Sequence, residues 1–282
     1  MNVYCIIPTY NEEAFIAQTL QSLVQQTVVP NKIVVVNDNS TDKTAEIVSV
    51  FEEKHPFITQ VFNKSENKHL PGSKVINAFY RGFETIDDNY DIIVKLDADL
   101  ILPTNYFERI IETFNQNVQI GMVGGFAYIE QNGEWILENL TDKDHIRGAF
   151  KAYRKACFKQ IGGLKKAMGW DTVDELLCKY YQWQIITLPD LKVKHLKPTG
   201  ATYNKAARYK QGQAFYRLGY GFLITAVASL KLALRKQKPL LFIDYLVGYF
   251  KAKQSKTTLL VTPEQAQFIR KYRWKKIKEK LF

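Results

Sequence analysis

Three times in the first hundred residues an apolar run ends abruptly in polar and acidic residues. Val3-Tyr4-Cys5-Ile6-Ile7 runs into Pro8-Thr9-Tyr10-Asn11-Glu12, Ile33-Val34-Val35-Val36 into Asn37-Asp38-Asn39-Ser40-Thr41-Asp42, and Ile92-Ile93-Val94-Lys95-Leu96 into Asp97-Ala98-Asp99. Short Val- and Ile-rich runs of this kind predict strands buried on both faces, as in a parallel sheet. Between them the spacing becomes helical: Ile16, Leu20, Leu23 and Val24 share one face of a helix over 14–26. Thr41 or Asp42 is placed to cap a second helix through Ala45, Ile47, Val48 and Phe51. A short strand at Val61-Phe62, a helix over 73–86 with Val75, Ala78, Phe79 and Phe83 inward, strand 92–97 and a helix over 106–114 follow. This β-α-β-α-β order predicts an α/β, doubly wound, mainly parallel sheet. Ligands of such sheets bind beyond the carboxyl ends of the strands, so the three polar clusters are expected to converge on one rim.

The pattern then changes. Strands are expected at 120–129 and 135–137 around a turn at Asn132-Gly133. A helix over 148–160, a break at Gly162-Gly163, an acidic helix near 171–182 and a strand at 184–188 come next, and Pro189-Asp190 turns the chain into 191–196. Further on, 219–234 is apolar with Lys231 inside it, and 240–250 is apolar with Asp244 inside it; Arg235, Lys236, Lys238 and Pro239 separate the two. A membrane span needs about 20 apolar residues, so both stretches predict amphipathic helices lying in a membrane interface. Thr262 as cap and Pro263 as first residue open a basic helix that runs to the end.

Charge divides the chain the same way. The net charge is +11, yet residues 197–282 carry 19 Lys and Arg against three acids, which leaves the preceding 196 residues at −5. An acidic front and a basic tail imply two tasks. The tail fits a solvated basic face, a nucleic-acid surface or an anionic membrane surface. Nucleic acid is disfavoured, because no binding module is visible and the front half is acidic. Basic residues interleaved with Tyr216, Tyr220, Phe222, Phe242, Tyr245, Tyr249 and Phe250 favour the membrane. With 46% hydrophobic and 13% aromatic residues the chain supports a sizeable core. Cys5, Cys157 and Cys178 have no metal spacing and read as buried thiols. The chain enters a strand by residue 3 with no basic segment before it, so no leader is expected and the catalytic part is expected in the cytoplasm.

Asp97 and Asp99, two apart at a strand end, repel each other unless a cation sits between them or one takes a proton. Oxygen ligands suit Mg²⁺ or Mn²⁺, typically shared with substrate phosphates. Asp38 can accept hydrogen bonds from a uracil N–H or a ribose hydroxyl, or serve as an ordinary turn residue or helix cap. Pro8 and Tyr10 can floor a base and Glu12 can reach a ribose, or all three can be strand-end punctuation.

These motifs, in this order, resemble family 2 glycosyltransferases, which have the nucleotide-sugar-binding GT-A fold. The resemblance rests on Pro8-Thr9-Tyr10-Asn11-Glu12, on 37–42, on Asp97-Ala98-Asp99, and on Gly169-Trp170-Asp171-Thr172 followed by Pro189-Asp190 and His195. It covers about residues 1–200. It implies a GT-A catalytic domain over 1–200, with a nucleotide-binding half at 1–117 and an acceptor half at 118–200, and sets 201–282 apart as the membrane-associating region. It implies inverting transfer of a sugar from a nucleotide diphosphate donor, a UDP-sugar first, to a hydroxyl of a lipid-linked or envelope glycan. Pro8, Thr9, Tyr10, Glu12 and Asp38 would hold the nucleoside, and Lys74 would sit near the phosphates. Asp99 would bind the metal, with Asp97 facing the ribose or metal and His195 as a further ligand. Asp171 falls at the family's general base, with Asp174 and Glu175 as alternatives, and Trp170 would wall the acceptor site. Two positions depart from the pattern: Asn37 replaces the first of two paired aspartates, and Trp170 replaces the glutamate before the base. The implied location is the inner face of the plasma membrane. A sugar nucleotidyltransferase is the alternative enzyme, but Pro8-Thr9-Tyr10-Asn11 lacks the glycine-rich basic loop of that class. A non-catalytic scaffold retaining the fold is the other alternative, and it would have no use for the carboxylates.

Overall fold

The computed structural model describes residues 1–64, 72–138, 144–197 and 208–281; the expected boundary between 200 and 201 lies outside them. Nine strands form a single sheet in the order β3-β2-β1-β4-β8-β6-β9-β5, with β7 paired to β6. The first half is the doubly wound unit: β1 (Val3–Thr9), α1 (Ile16–Val24), β2 (Lys32–Asp38), α2 (Thr44–Lys54), β3 (Ile58–Asn63), α3 (Ser73–Phe83) and β4 (Ile92–Leu96). Strands β3, β2, β1 and β4 are mutually parallel, and Ile6, Ile7, Val35, Val36, Ile93 and Val94 are buried. Strands covered on both faces need no alternation, which is why these runs are continuously apolar.

The second half mixes directions. It comprises β5 (Leu100–Ile101), α4 (Tyr106–Gln116), β6 (Ile120–Gln131), β7 (Glu134–Leu137), β8 (Phe150–Arg154), α5 (Lys155–Gln160), α6 (Trp170–Tyr180) and β9 (Gln184–His195). The β6–β7 hairpin turns at Asn132 and Gly133, both in the left-handed region, as Asn-Gly predicts. Two expectations are corrected. Residues 148–160 are not one helix: 150–154 form β8, antiparallel to both β4 and β6, and only α5 is helical. Pro189-Asp190 is not a turn between strands: β9 runs through it, and a register shift against β6 between Gly124 and Phe126 absorbs the extra residues.

Helices α7 (Lys210–Arg217), α8 (Gly221–Arg235), α9 (Leu240–Gln254) and α10 (Pro263–Leu281) complete the chain. Of these, α10 packs on α6: Phe268 meets Tyr180 edge-on at 5.4 Å, and Gln265 donates to the Tyr181 hydroxyl just beyond α6 at 3.3 Å. Two glycines let α7 and α9 touch backbone to backbone. A Cβ at Gly212 would lie 1.8 Å from the Tyr245 carbonyl oxygen, and one at Gly248 2.1 Å from that of Tyr209. Gly212→Ala is therefore expected to lower stability by about 1–3 kcal/mol, read as a lower urea midpoint. Among the described residues no helix is long and apolar enough to cross a membrane.

Candidate active site

The acidic turn after β4 is locked from three sides. The Asp97 amide donates to Ala149 O at 2.8 Å, the Thr19 hydroxyl to Ala98 O at 2.7 Å, and the Leu196 amide to Asp99 O at 2.9 Å. The two-residue strand β5 pairs Leu100 with His195, which sets the imidazole beside Asp99. One ligand atom from each of Asp97, Asp99 and His195 lies within 4.8 Å of the others. Asp99 and His195 are buried, while Asp97 is half-exposed. Two carboxylates and an imidazole at that spacing suit a divalent cation.

His195 Nε2 lies 3.4 Å from Asp99 Oδ2, and Nδ1 lies 3.9 Å from Glu138 Oε2. Glu138 is in turn held by Arg147 at 2.7 Å. Burial disfavours a charged imidazole, but Asp99 and Glu138 outweigh it and push His195 up to about 9. Glu138 thus stands behind the imidazole, 3.9 Å from Nδ1, while Asp99 lies by Nε2. Glu138→Gln is expected to weaken Mn²⁺ binding about 10- to 100-fold, measurable by calorimetry without substrate.

The loops after β1 and β2 interlock above this rim. Asn11 Oδ1 accepts from the Thr41 amide, Ser40 Oγ from the Asn11 amide, Thr44 Oγ1 from the Glu12 amide, and Asp42 from the Glu13 amide. Asn37, where the resemblance expects an aspartate, accepts the Ser40 amide and shapes the loop. Asp38 is buried at the tip of β2 and receives the Asn63 amide group at 2.7 Å from the paired tip of β3. Pro8 is half-buried and Tyr10 is exposed at 58%. Thr9 is committed to the sheet, donating to Val36 O at 2.8 Å. Glu12 receives Lys197 at 2.7 and 2.8 Å. Burial lifts its carboxyl above the usual range, against the pull of Lys197 and with the push of Asp99 and Asp97. Lys197 thereby ties the end of β9 to the loop after β1.

Lys74 lies half-buried in the first turn of α3, whose start is anchored by the Ser73 hydroxyl on Lys166 O at 3.0 Å. Asp171 lies half-buried in the first turn of α6. Its rivals are committed elsewhere. Asp174 and Glu175 are buried around Lys151, which is 0% exposed and reaches Asp174 at 3.0 and 3.1 Å and Glu175 at 3.2 Å. Tyr153 donates to Asp174 at 2.6 Å and His145 approaches Glu175 at 3.0 Å. Burial opposes the charge on Lys151, but the two carboxylates raise its pKa. Burial likewise works against ionised Glu175, yet Lys151 and His145 hold it at about 2. To Asp171 the same ammonium gives a bond to the backbone carbonyl, at 2.5 Å. Lys95, paired across the sheet with Lys151, bonds Asp97 and sits 5.4 Å over the Trp170 ring. It joins the acidic turn to the start of α6.

Sequence reasoning missed Lys95, Lys151, Tyr153, His145, Glu138, Arg147, Asn63 and Lys197. A lysine inside an expected buried strand was the one available signal, at Lys95; Lys151 gave none, because 148–160 reads as a helix.

A family model described as glycosyl transferase family 2 matches residues 4–164. The chain belongs to glycosyl transferase family 2. A probable glycosyltransferase, YdaM of Bacillus subtilis, is 40% identical over 204 residues, covering 64% of this chain and 46% of the relative. The poly-β-1,6-N-acetyl-D-glucosamine synthase of Staphylococcus epidermidis is 25% identical over 186 residues, covering 59% and 41%. The chain thus spans less than half the length of these curated relatives. Among solved structures, Staphylococcus aureus TarS 1–349 in complex with UDP-GlcNAc superposes with a TM-score of 0.60 at 20% identity, over 95% of this chain and 78% of that one. The mannosyltransferase PcManGT of Pyrobaculum calidifontis, in complex with GDP-Man and Mn²⁺, gives 0.58 at 18% identity over 95% and 78%. The family 2 chain therefore has the GT-A glycosyltransferase fold.

Proposed function

We propose that this family 2 chain transfers a glycosyl group, with inversion, from a nucleotide diphosphate sugar to a hydroxyl of a lipid-linked or envelope glycan. A UDP-sugar is the first choice of donor, with GDP- and dTDP-sugars as the others. The observation that carries the proposal is the Asp97–Asp99–His195 cluster, set on the rim where β1, β2 and β4 end. Asp38, with Asn63 beside it, presents acceptors and donors for a base or ribose, and Tyr10 offers an exposed ring. In this reading Glu12 takes a ribose hydroxyl and Lys74 a phosphate, the roles that the family resemblance implies. Asp97, Asp99 and His195 would hold Mg²⁺ or Mn²⁺, which supplies charge stabilisation to a leaving diphosphate. Asp171 would take the proton of the acceptor hydroxyl.

The test is a melting panel of UDP, GDP and dTDP with and without Mn²⁺. At 100 times its dissociation constant a ligand of the native state adds about 2.7 kcal/mol of stability. One nucleotide is expected to raise the melting temperature in a Mn²⁺-dependent way, and Asp99→Asn to remove the Mn²⁺ dependence. Equal shifts with and without Mn²⁺, or an unaffected Asp99→Asn variant, would refute the metal assignment.

A further inference from the structure

Helices α8 and α9 are built inside out. Leu223, Val227, Leu230 and Leu234, spaced i, i+4, i+7, i+11 along one side of α8, are 40–66% exposed, whereas Thr225 and Ser229 are completely buried. On α9, Leu240, Ile243 and Phe250 are 49–70% exposed, whereas Asp244 is buried and held by Arg208 at 2.7 Å. Phe222 and Phe250 meet across the hairpin at 5.4 Å, so the two stripes form one band. Single exposed leucines are unremarkable on a soluble surface, but a band continuous over two helices marks a binding face.

The charge around the band selects its occupant. Residues 221–254 contain six basic side chains, Lys231, Arg235, Lys236, Lys238, Lys251 and Lys253, all exposed, and one acid, the buried Asp244. A second copy of the chain docked about a two-fold axis would set these cations against one another. An acidic partner would satisfy them but not the apolar band between them. An anionic bilayer surface satisfies both, because its headgroups meet the cations while its acyl boundary takes the leucines. Each helix has 15 residues, too short to span, so the hairpin would lie flat.

We propose that the outer face of the α8–α9 hairpin docks on an anionic lipid surface and holds the enzyme there as a peripheral protein. This refines the tail predicted from sequence. Tyr220, Tyr245 and Tyr249 are buried in the helical packing, and the contact falls to the leucines, Ile243, Phe222 and Phe250. The inference stands on the hairpin alone and needs no assumption about donor or base.

The experiment is flotation of the full chain with phosphatidylcholine vesicles containing about 30 mol% phosphatidylglycerol, beside pure phosphatidylcholine vesicles. Binding is expected to be at least about tenfold stronger on the anionic vesicles and to weaken with salt. Lys236→Ala with Lys238→Ala is expected to lower it about 30-fold, roughly fivefold per charge. Leu223→Ser, Leu230→Ser and Ile243→Ser together are expected to lower it about 100-fold or more at every salt concentration. The triple variant should melt no lower than wild type, since the altered side chains face outward. Wild type that ignores anionic vesicles overturns the proposal, as does a triple variant that binds like wild type. So does a lipid-free wild-type dimer that the triple variant turns into a monomer. The nucleotide melting panel, run on the same variants, reports the catalytic reading separately.

Discussion

Asp171→Asn is expected to lower turnover by about 10²–10⁴-fold, the range that a positioned general base supplies, with the nucleotide-induced melting shift unchanged. The expectation follows from how α6 distributes its three carboxylates. Asp174 and Glu175 turn into the protein and are consumed by Lys151, Tyr153 and His145. Neither can accept a substrate proton without breaking a buried network. Asp171 sits at the start of the same helix, half-buried, with its backbone rather than its carboxylate engaged by Lys151. Its neighbour Trp170 is linked through Lys95 to Asp97. Steady-state kinetics on purified variants decides the matter. An Asp171→Asn enzyme with near wild-type kcat, beside a folded but inactive Asp174→Asn enzyme, would move the base to Asp174.

The legibility of this site differs from residue to residue for physical reasons. Asp38, Asp97 and Asp99 were readable because each ends a strand whose uninterrupted apolar run announces a buried parallel sheet. His195 and Asp171 were readable only through family resemblance, since nothing local marks a residue 96 positions from Asp99 as its neighbour. Glu138 and Arg147 lie in a stretch without periodicity and gave no signal. Strand β8 was misread because Phe150-Lys151-Ala152-Tyr153-Arg154 runs straight into the real helix α5 and carries helix-favouring residues. It is a strand because β4 and β6 flank it, a tertiary cause that outweighs local propensity. The two apolar tail helices were recognised, but which side of each would face outward could not be. That depended on α7, an unforeseen helix that takes up the side of α9 bearing Gly248.

Lys151→Met is expected to destabilise the fold by about 3–5 kcal/mol, because it leaves two buried carboxylates without their cation. For a chain of 282 residues that corresponds to a fall in melting temperature of about 5–8 °C. Lys95, opposite Lys151 in the sheet, cannot take over its role, because it is committed to Asp97. Two like charges opposite each other on neighbouring strands repel, so each must have its own carboxylate. Lys95 has Asp97, at the rim, and Lys151 has Asp174 and Glu175, beneath α6. The loss should reach the site as well, because Lys151 also holds the carbonyl of Asp171. A second variant separates charge from packing. Lys151→Met combined with Asp174→Leu and Glu175→Gln removes the unpaired charges and should regain much of the lost stability, since a buried ion pair rarely outperforms apolar residues of similar volume. It should not regain turnover, because the bond that fixes the first turn of α6 is still missing. Urea denaturation of both variants, read beside their kcat, tests the two halves of this prediction independently. Full stability in the single variant would mean that Asp174 and Glu175 share a proton instead of a lysine.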